Sequence, residues 1–317
     1  MQSADRNWHG KPYYSLDAYC KNTFGHKCYK IALNAHMTCP NRDGTLDTRG
    51  CIFCSAGGSG DHAVSMSGKS IEEQLAEGAA LFGKKKTGSH YIAYFQAYTN
   101  TYAPLAYLEQ VYVQALRSPM VCGISIATRP DCLPPEVLAL LASLKERFPG
   151  KFIWVELGLQ TIHEDTAVLI RRGYPLSCFT ESIRNLKVRD IPVIVHVILG
   201  LPGETKEKML ETIDFLNTQH PFGIKLQLLH ILKNTDLASL YLSGAFSALT
   251  REAYLELVME CLEHLSPQTV VHRLTGDGPK ESLIAPEWSR NKRDVLNTLH
   301  RLMKEKGCLQ GSIFSEG

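Results

Sequence analysis

Val193-Ile-Val-His-Val-Ile-Leu199 is a nearly unbroken apolar, β-branched run, and the turn Gly200-Leu-Pro-Gly203 follows it at once. Behind that turn, Met209, Leu210, Ile213 and Leu216 recur at helical spacing. The first segment lacks the alternation of a half-exposed strand, so it reads as a parallel strand covered on both faces. Strand, tight turn and amphipathic helix make one βα unit. The same pattern recurs along the chain. Candidate strands are Tyr29–Asn34, His90–Phe95, Val121–Ala127, Phe152–Leu159 and Ile224–His230. Helical stripes lie between them: Ile71 with Leu75, Leu105-Leu108-Val111-Ala115, and Val137-Leu140-Leu141-Leu144 behind Pro134-Pro135. From the second strand onward the units start roughly every 30 to 40 residues, the size of a βα unit.

Six such units predict an α/β protein built as a partial (β/α)6 TIM-like barrel, with its chemistry at the C-terminal ends of the strands. A doubly wound sheet is the structural alternative. The organisation expected is an N-terminal extension over 1–28, the barrel over 29–232, and a C-terminal extension over 233–317. That last part reads as mainly helical, from Leu255, Val258, Met259 and Leu262 and from Val295, Leu296, Leu299, Leu302 and Met303.

The chain has 317 residues, 44% hydrophobic and 21% charged, which is ordinary globular composition and excludes a disordered protein. The N-terminus carries no apolar core of a signal peptide, and the longest apolar run, broken by Pro192 and His196, is too short to span a bilayer. No membrane partner is expected, and a cytoplasmic location is. A net charge of +2 decides nothing about nucleic acid. Its distribution says slightly more: residues 1–30 hold five Lys/Arg against two Asp, and residues 289–306 hold six against two acids.

Ten cysteines without a secretory signal favour metal or redox use for any tight cluster. One exists. Cys39-Pro-Asn-Arg-Asp-Gly-Thr-Leu-Asp-Thr-Arg-Gly-Cys51-Ile-Phe-Cys54 follows the first strand directly, in a loop at its C-terminal end. The Cys-x-x-Cys pair can grip one metal centre, and a folded loop brings the third thiolate. Iron–sulfur clusters usually take four thiolates, so three would leave one iron open for chemistry. On spacing alone, a structural zinc site completed by His36 or His62 stays open.

Here the residues resemble a family. The cysteine segment is similar to the radical S-adenosylmethionine superfamily, and to its YhcC/YtqA-like branch related to the catalytic subunit of Elongator, which also has a long first cysteine spacing. The resemblance covers most of the chain. It runs through Tyr94-Phe-Gln-Ala-Tyr-Thr-Asn-Thr-Tyr102, Ser125-Ile-Ala-Thr-Arg-Pro-Asp131, Glu156-Leu-Gly-Leu-Gln-Thr161, Arg171-Arg-Gly173, His196-Val-Ile-Leu-Gly-Leu-Pro-Gly-Glu-Thr205 and His272-Arg-Leu-Thr-Gly-Asp-Gly278. It implies a radical SAM barrel whose Cys39, Cys51 and Cys54 hold a [4Fe-4S] cluster. S-adenosyl-L-methionine would chelate the fourth iron and be cleaved reductively to a 5′-deoxyadenosyl radical. The cluster would be reduced by a low-potential donor such as flavodoxin or ferredoxin.

The resemblance places Phe53 near the adenine and pairs Gln160 with Arg172 as S-adenosylmethionine contacts, an arginine suiting the methionyl carboxylate. Gln96, Ser125 and His196 are further cofactor-binding candidates by strand position. Lys225 and Gln227 alternate along the sixth strand and, with Tyr98 and Asn100, are substrate candidates; Tyr98 and His230 are candidates for a catalytic role. The remaining cysteines read as structural. The implied activity is conversion of 5-carboxymethylaminomethyl uridine at the tRNA wobble position to its aminomethyl form. The competing readings are a radical enzyme acting on a small metabolite and a non-catalytic zinc protein that binds nucleic acid.

Overall fold

A computed structural model describes residues 7–58, 68–83, 90–276 and 278–315. Helix α1 (Leu16–Phe24), capped by the Ser15 side chain, leads into strand β1 (Tyr29–Leu33). Alternation then proceeds as α2 (Ile71–Gly83), β2 (Tyr91–Phe95), α3 (Leu105–Arg117), β3 (Val121–Thr128), α4 (Pro135–Arg147) and β4 (Phe152–Gln160). Two helices, α5 (Glu164–Leu169) and α6 (Leu176–Lys187), precede β5 (Val193–Leu199), which leads through α7 (Lys206–Thr218) to β6 (Gly223–Leu228). The remainder is β7 (Ile231–Leu232), α8 (Asp236–Leu242), α9 (Arg251–His264), β8 (Val270–Arg273), β9 (Leu283–Ala285) and α10 (Lys292–Lys306).

The main sheet is parallel throughout and seven-stranded, in the order β1-β2-β3-β4-β5-β6-β8. It curls into a half-barrel with the helices outside. Sequential neighbours in one parallel sheet are what right-handed βα crossovers produce. The strands lie within a residue or two of their expected bounds, because each is a mostly apolar run ending in a turn. Gly200 and Gly203, at φ 89° and 81°, make the turn after β5 possible.

The C-terminal stretch departs from expectation. Besides α8 to α10 it supplies the seventh barrel strand, and β7 and β9 form a separate antiparallel pair. Val270-Val271 is too short a β-branched run to announce a strand alone. It becomes one because Gly223 and Ile224 offer a free edge, and because Val271 also bonds Tyr14 of the N-terminal segment.

Outward-facing apolar side chains of the strands pack against the helices in one continuous core. Inside, the strand starts are closed by a plug of Ile92, Trp154, Ile194, Cys20 and Cys28, with Trp154 stacked on Phe152 at 3.9 Å between ring centroids. The barrel is therefore sealed at its N-terminal end and open at the other. No described helix is long and apolar enough to cross a membrane.

Candidate functional site

At the open end the Cys39–Cys54 segment folds back on itself, for reasons traceable to two residues beside Cys39. The Asn41 carbonyl accepts from Gly50 N–H at 2.7 Å, and its side-chain amide donates to the Arg171 carbonyl at 2.8 Å. Arg42 donates to the Cys54 and Ser55 carbonyls at 3.0 and 2.6 Å and lies over the Tyr98 ring. Ile52 N–H bonds the Ile170 carbonyl, docking the loop on the end of α5. Gly173 sits beneath: at φ 81°, a Cβ there would come within 2.7 Å of Asn41 Oδ1.

The result is that Cys39, Cys51 and Cys54 all line one cavity of about 960 Å³. Cys51 is lowered to about 7, first by a hydrogen bond with Cys54, against the effect of burial, then by Arg129, Asn41 and Arg42. Three half-buried thiols beside guanidinium groups suit a bound [4Fe-4S] cluster, whose thiolates bind separate irons. Of the two histidines considered for a zinc site, His36 is exposed and His62 lies outside the described residues.

Backbone strain concentrates around this mouth. Ala97, Tyr98, Gln160 and Arg171 all adopt left-handed φ, between 55° and 73°, a conformation that non-glycine residues keep only where their surroundings impose it. The β4–β5 ladder also slips by one residue between Gly158 and Gln160, and Gln160 lines the cavity.

Below, a charged layer crosses the barrel. Glu156 is fully buried, and its Oε1 accepts from Lys30 at 2.6 Å and Ser125 at 2.5 Å. Its Oε2 accepts from Lys225 and, at 2.6 Å, from His196 Nε2. Burial alone would push Glu156 up, but Lys225 and Lys30 hold it well below the usual carboxylate range. Burial, aided by Lys225, takes His196 down to about 4. The imidazole is thus neutral at pH 7, donating from Nε2 to Glu156 and accepting at Nδ1 from Gln227 at 3.3 Å. Lys225 also reaches the Tyr94 hydroxyl at 3.0 Å.

Of the residues expected from sequence, Phe53, Gln96, Tyr98, Gln160, Arg172, His196, Lys225, Gln227 and His230 share the cavity wall with the three cysteines. Ser125 and Asn100 do not. Both are wholly buried: Ser125 spends its hydroxyl on Glu156, and the Asn100 amide donates to the Ala97 and Ala127 carbonyls, anchoring the loop after β2. Arg172 reaches the wall but is 1% exposed. Its three guanidinium nitrogens donate to Tyr174, Leu159 and Thr161 carbonyls and to Glu164, leaving no nitrogen without a protein partner for a ligand carboxylate. It positions the Gln160 turn.

Sequence reasoning missed Glu156, Lys30, Tyr94, Asn41 and Arg42 as site residues. Glu156 carries a usable signal, a carboxylate in the middle of an apolar strand and in step with Gly158 and Gln160 on one face.

Residues 48–216 match the model of the Radical SAM superfamily, and residues 221–305 that of the Radical_SAM C-terminal domain. The chain is 44% identical over 304 residues to the uncharacterized protein YtqA of Bacillus subtilis (strain 168), covering 96% of this chain and 93% of that one. It is 37% identical over 289 residues to protein YhcC of Escherichia coli (strain K12), covering 91% of each. Among solved structures, archaeal Methanocaldococcus infernus Elp3 with an N-terminal deletion superposes with a TM-score of 0.66 at 16% identity, over 89% of this chain and 64% of that chain. At that identity the likeness speaks to the fold.

Proposed function

The chain belongs to the radical SAM superfamily, and from that premise we propose that it modifies the wobble uridine of tRNA, converting 5-carboxymethylaminomethyl uridine to its aminomethyl form. Charge is the observation that supports this reading. The cavity is lined by eight lysines and arginines and a single carboxylate, Glu156. A cleft of one sign concentrates ligands of the other, and both a phosphate backbone and an acidic base substituent are anionic. Tyr98 at the mouth and Tyr102 beside the cysteine loop offer flat faces for an extruded base.

Cys39, Cys51 and Cys54 would hold the [4Fe-4S] cluster, leaving one iron for the amino-acid end of S-adenosylmethionine. When bound, the pair supplies one-electron hydrogen abstraction. The chain's own part is to orient and to exclude. Phe53, Gln96 and Gln160 shape the wall beside the cysteines, the plug around Trp154 keeps water from the closed end, and Tyr98 and His230 stand at the wall as proton or hydrogen donors. A flavodoxin or ferredoxin would deliver the electron.

Mass spectrometry of tRNA nucleosides from a strain lacking the gene tests the reading. Carboxymethylaminomethyl uridine should accumulate and its aminomethyl form disappear; unchanged wobble uridines reject it. An acidic small metabolite is the second reading, favoured by a cavity volume within the range of small-ligand sites.

A further inference from the structure

The closed end of the cavity carries more positive charge than its own groups offset. Glu156 has both oxygens fully occupied, by Lys30 and Ser125 on one and by Lys225 and His196 on the other. With Glu156 and Lys225 counted as a cancelled pair, Lys30 and Arg273 remain, and no second acid lines the cavity among the described residues.

Arg273 arrives there through an irregularity in the sheet. Ile224 pairs with Val271, but Lys225 pairs with Arg273, so His272 is the extra residue of a bulge. A bulge re-aims the side chains that follow it; here it sets Arg273 beside Lys225 on the cavity face. Among the described residues the Arg273 guanidinium has no hydrogen-bond or ion-pair partner, and both buried ring nitrogens of His272 are also unpaired. Unmatched charge and unmatched polar atoms in a half-enclosed space are costly, and a ligand anion removes that cost.

We infer that the closed end of the cavity is a carboxylate subsite, in which the Arg273 guanidinium, flanked by Lys30 and Lys225, receives the acidic end of the substrate. A guanidinium fork fits a carboxylate with two parallel hydrogen bonds. The inference deepens the wobble-uridine reading and rests on it only for naming the carboxymethyl group as occupant. Glu156 lies four residues before Gln160 on β4, which puts the subsite about 13 Å below the mouth at ~3.3 Å per residue. That is far from the cysteine loop, where the methionyl carboxylate of S-adenosylmethionine would sit.

The test is equilibrium dialysis of radiolabelled malonate against anaerobically reconstituted full-length protein, at fixed ionic strength and with saturating S-adenosylmethionine. Malonate should bind and neutral malonamide should not compete. Arg273→Gln should weaken malonate at least ten-fold, while Lys304→Gln, at an exposed position on α10 outside the cavity, should leave it unchanged. Should Arg273→Gln fail to fold, Arg273→Lys keeps the charge, loses the fork and should still weaken binding. Equal competition by malonamide, undiminished binding in the folded Arg273 variants, or loss of malonate binding once S-adenosylmethionine is added overturns the subsite. A separate arm uses an anticodon stem–loop bearing 5-carboxymethylaminomethyl uridine, which should displace malonate, whereas the aminomethyl stem–loop should do so at least ten-fold less well. Malonate held at Arg273 but displaced by neither RNA leaves the subsite standing and removes the wobble-uridine reading.

Discussion

Lys225 on β6 and Glu156 on β4 form an ion pair inside the barrel, and His196, on the strand between them, bonds the same carboxylate oxygen. Three neighbouring strands are thereby tied through one buried atom. Burial draws Lys225 down from its usual range while Glu156 opposes it. The ammonium keeps its charge only as long as the carboxylate stays.

Glu156→Gln therefore leaves two amino groups, Lys225 and Lys30, in a closed space without their counter-ion. Breaking a buried pair on one side costs about 3–5 kcal/mol. Lys225→Met should cost less, because Lys30 still neutralises the carboxylate at 2.6 Å. The double variant should lose less than the sum, with a coupling of about 1–3 kcal/mol. Urea unfolding of the four proteins measures all of this, and strict additivity would show that the pair does not act as one.

Acid should weaken the fold in two joined steps. The native His196 holds at about 4, whereas an unfolded histidine titrates near ~6.5. Between those values the unfolded chain binds a proton that the native protein refuses, so stability falls as pH drops through that window. At ~1.4 kcal/mol per pKa unit the loss is about 3 kcal/mol. Glu156, held low, contributes stability above the unfolded carboxylate value of ~4.3 and loses it below. His196→Gln should flatten part of the upper step. The remainder belongs to His272, which burial also holds well below its ordinary value, and to His300, which burial lowers. Urea midpoints at four pH values between 4.5 and 7.5 check this, and an identical profile in the variant contradicts the assignment.

Sequence carried the fold because parallel strands buried on both faces advertise themselves as largely apolar runs, and each βα unit is local. The three cysteines stand out in the sequence because their spacing is chemically unusual, and they line one cavity. What the sequence did not carry depends on register. Arg273 enters the cavity through a one-residue slip between Ile224 and Lys225, and no local pattern marks it. Arg172 and Ser125 sit at sound positions along the chain, yet tertiary partners claim their donors. The seventh strand was hidden because Val270–Arg273 needs both β6 and Tyr14 to be a strand.

Gly173 gives a test of the loop seat that touches no thiol. Its φ of 81° disfavours any side chain, and a Cβ would press on Asn41, whose amide ties the loop to Arg171 and Arg172. Gly173→Ala should lower stability by about 1–3 kcal/mol, the cost of strain at such a conformation. It should also reduce iron bound per chain after anaerobic reconstitution, although Cys39, Cys51 and Cys54 are intact. Normal iron content would mean that the thiols keep their arrangement without the Asn41 tether.

Substitution of the cysteines separates the two thiol populations of the barrel. Cys39, Cys51 and Cys54 line the open cavity, whereas Cys20 and Cys28 are packed in the plug with Trp154, and Cys122 lies 3.9 Å from Cys28 between sulfurs. Replacing any of the first three by Ala should remove the brown iron–sulfur absorption and 5′-deoxyadenosine formation while leaving the unfolding midpoint of the apoprotein nearly unchanged, since a half-buried thiol contributes little packing. Replacing Cys20, which is fully buried, should do the reverse: iron is retained, and stability falls by about 1 kcal/mol for the small void left in the plug. The contrast follows from position in the barrel, not from the cysteine itself. Loss of iron on replacing Cys20 or Cys28 would place a second metal centre at the sealed end and contradict the packing role given to them.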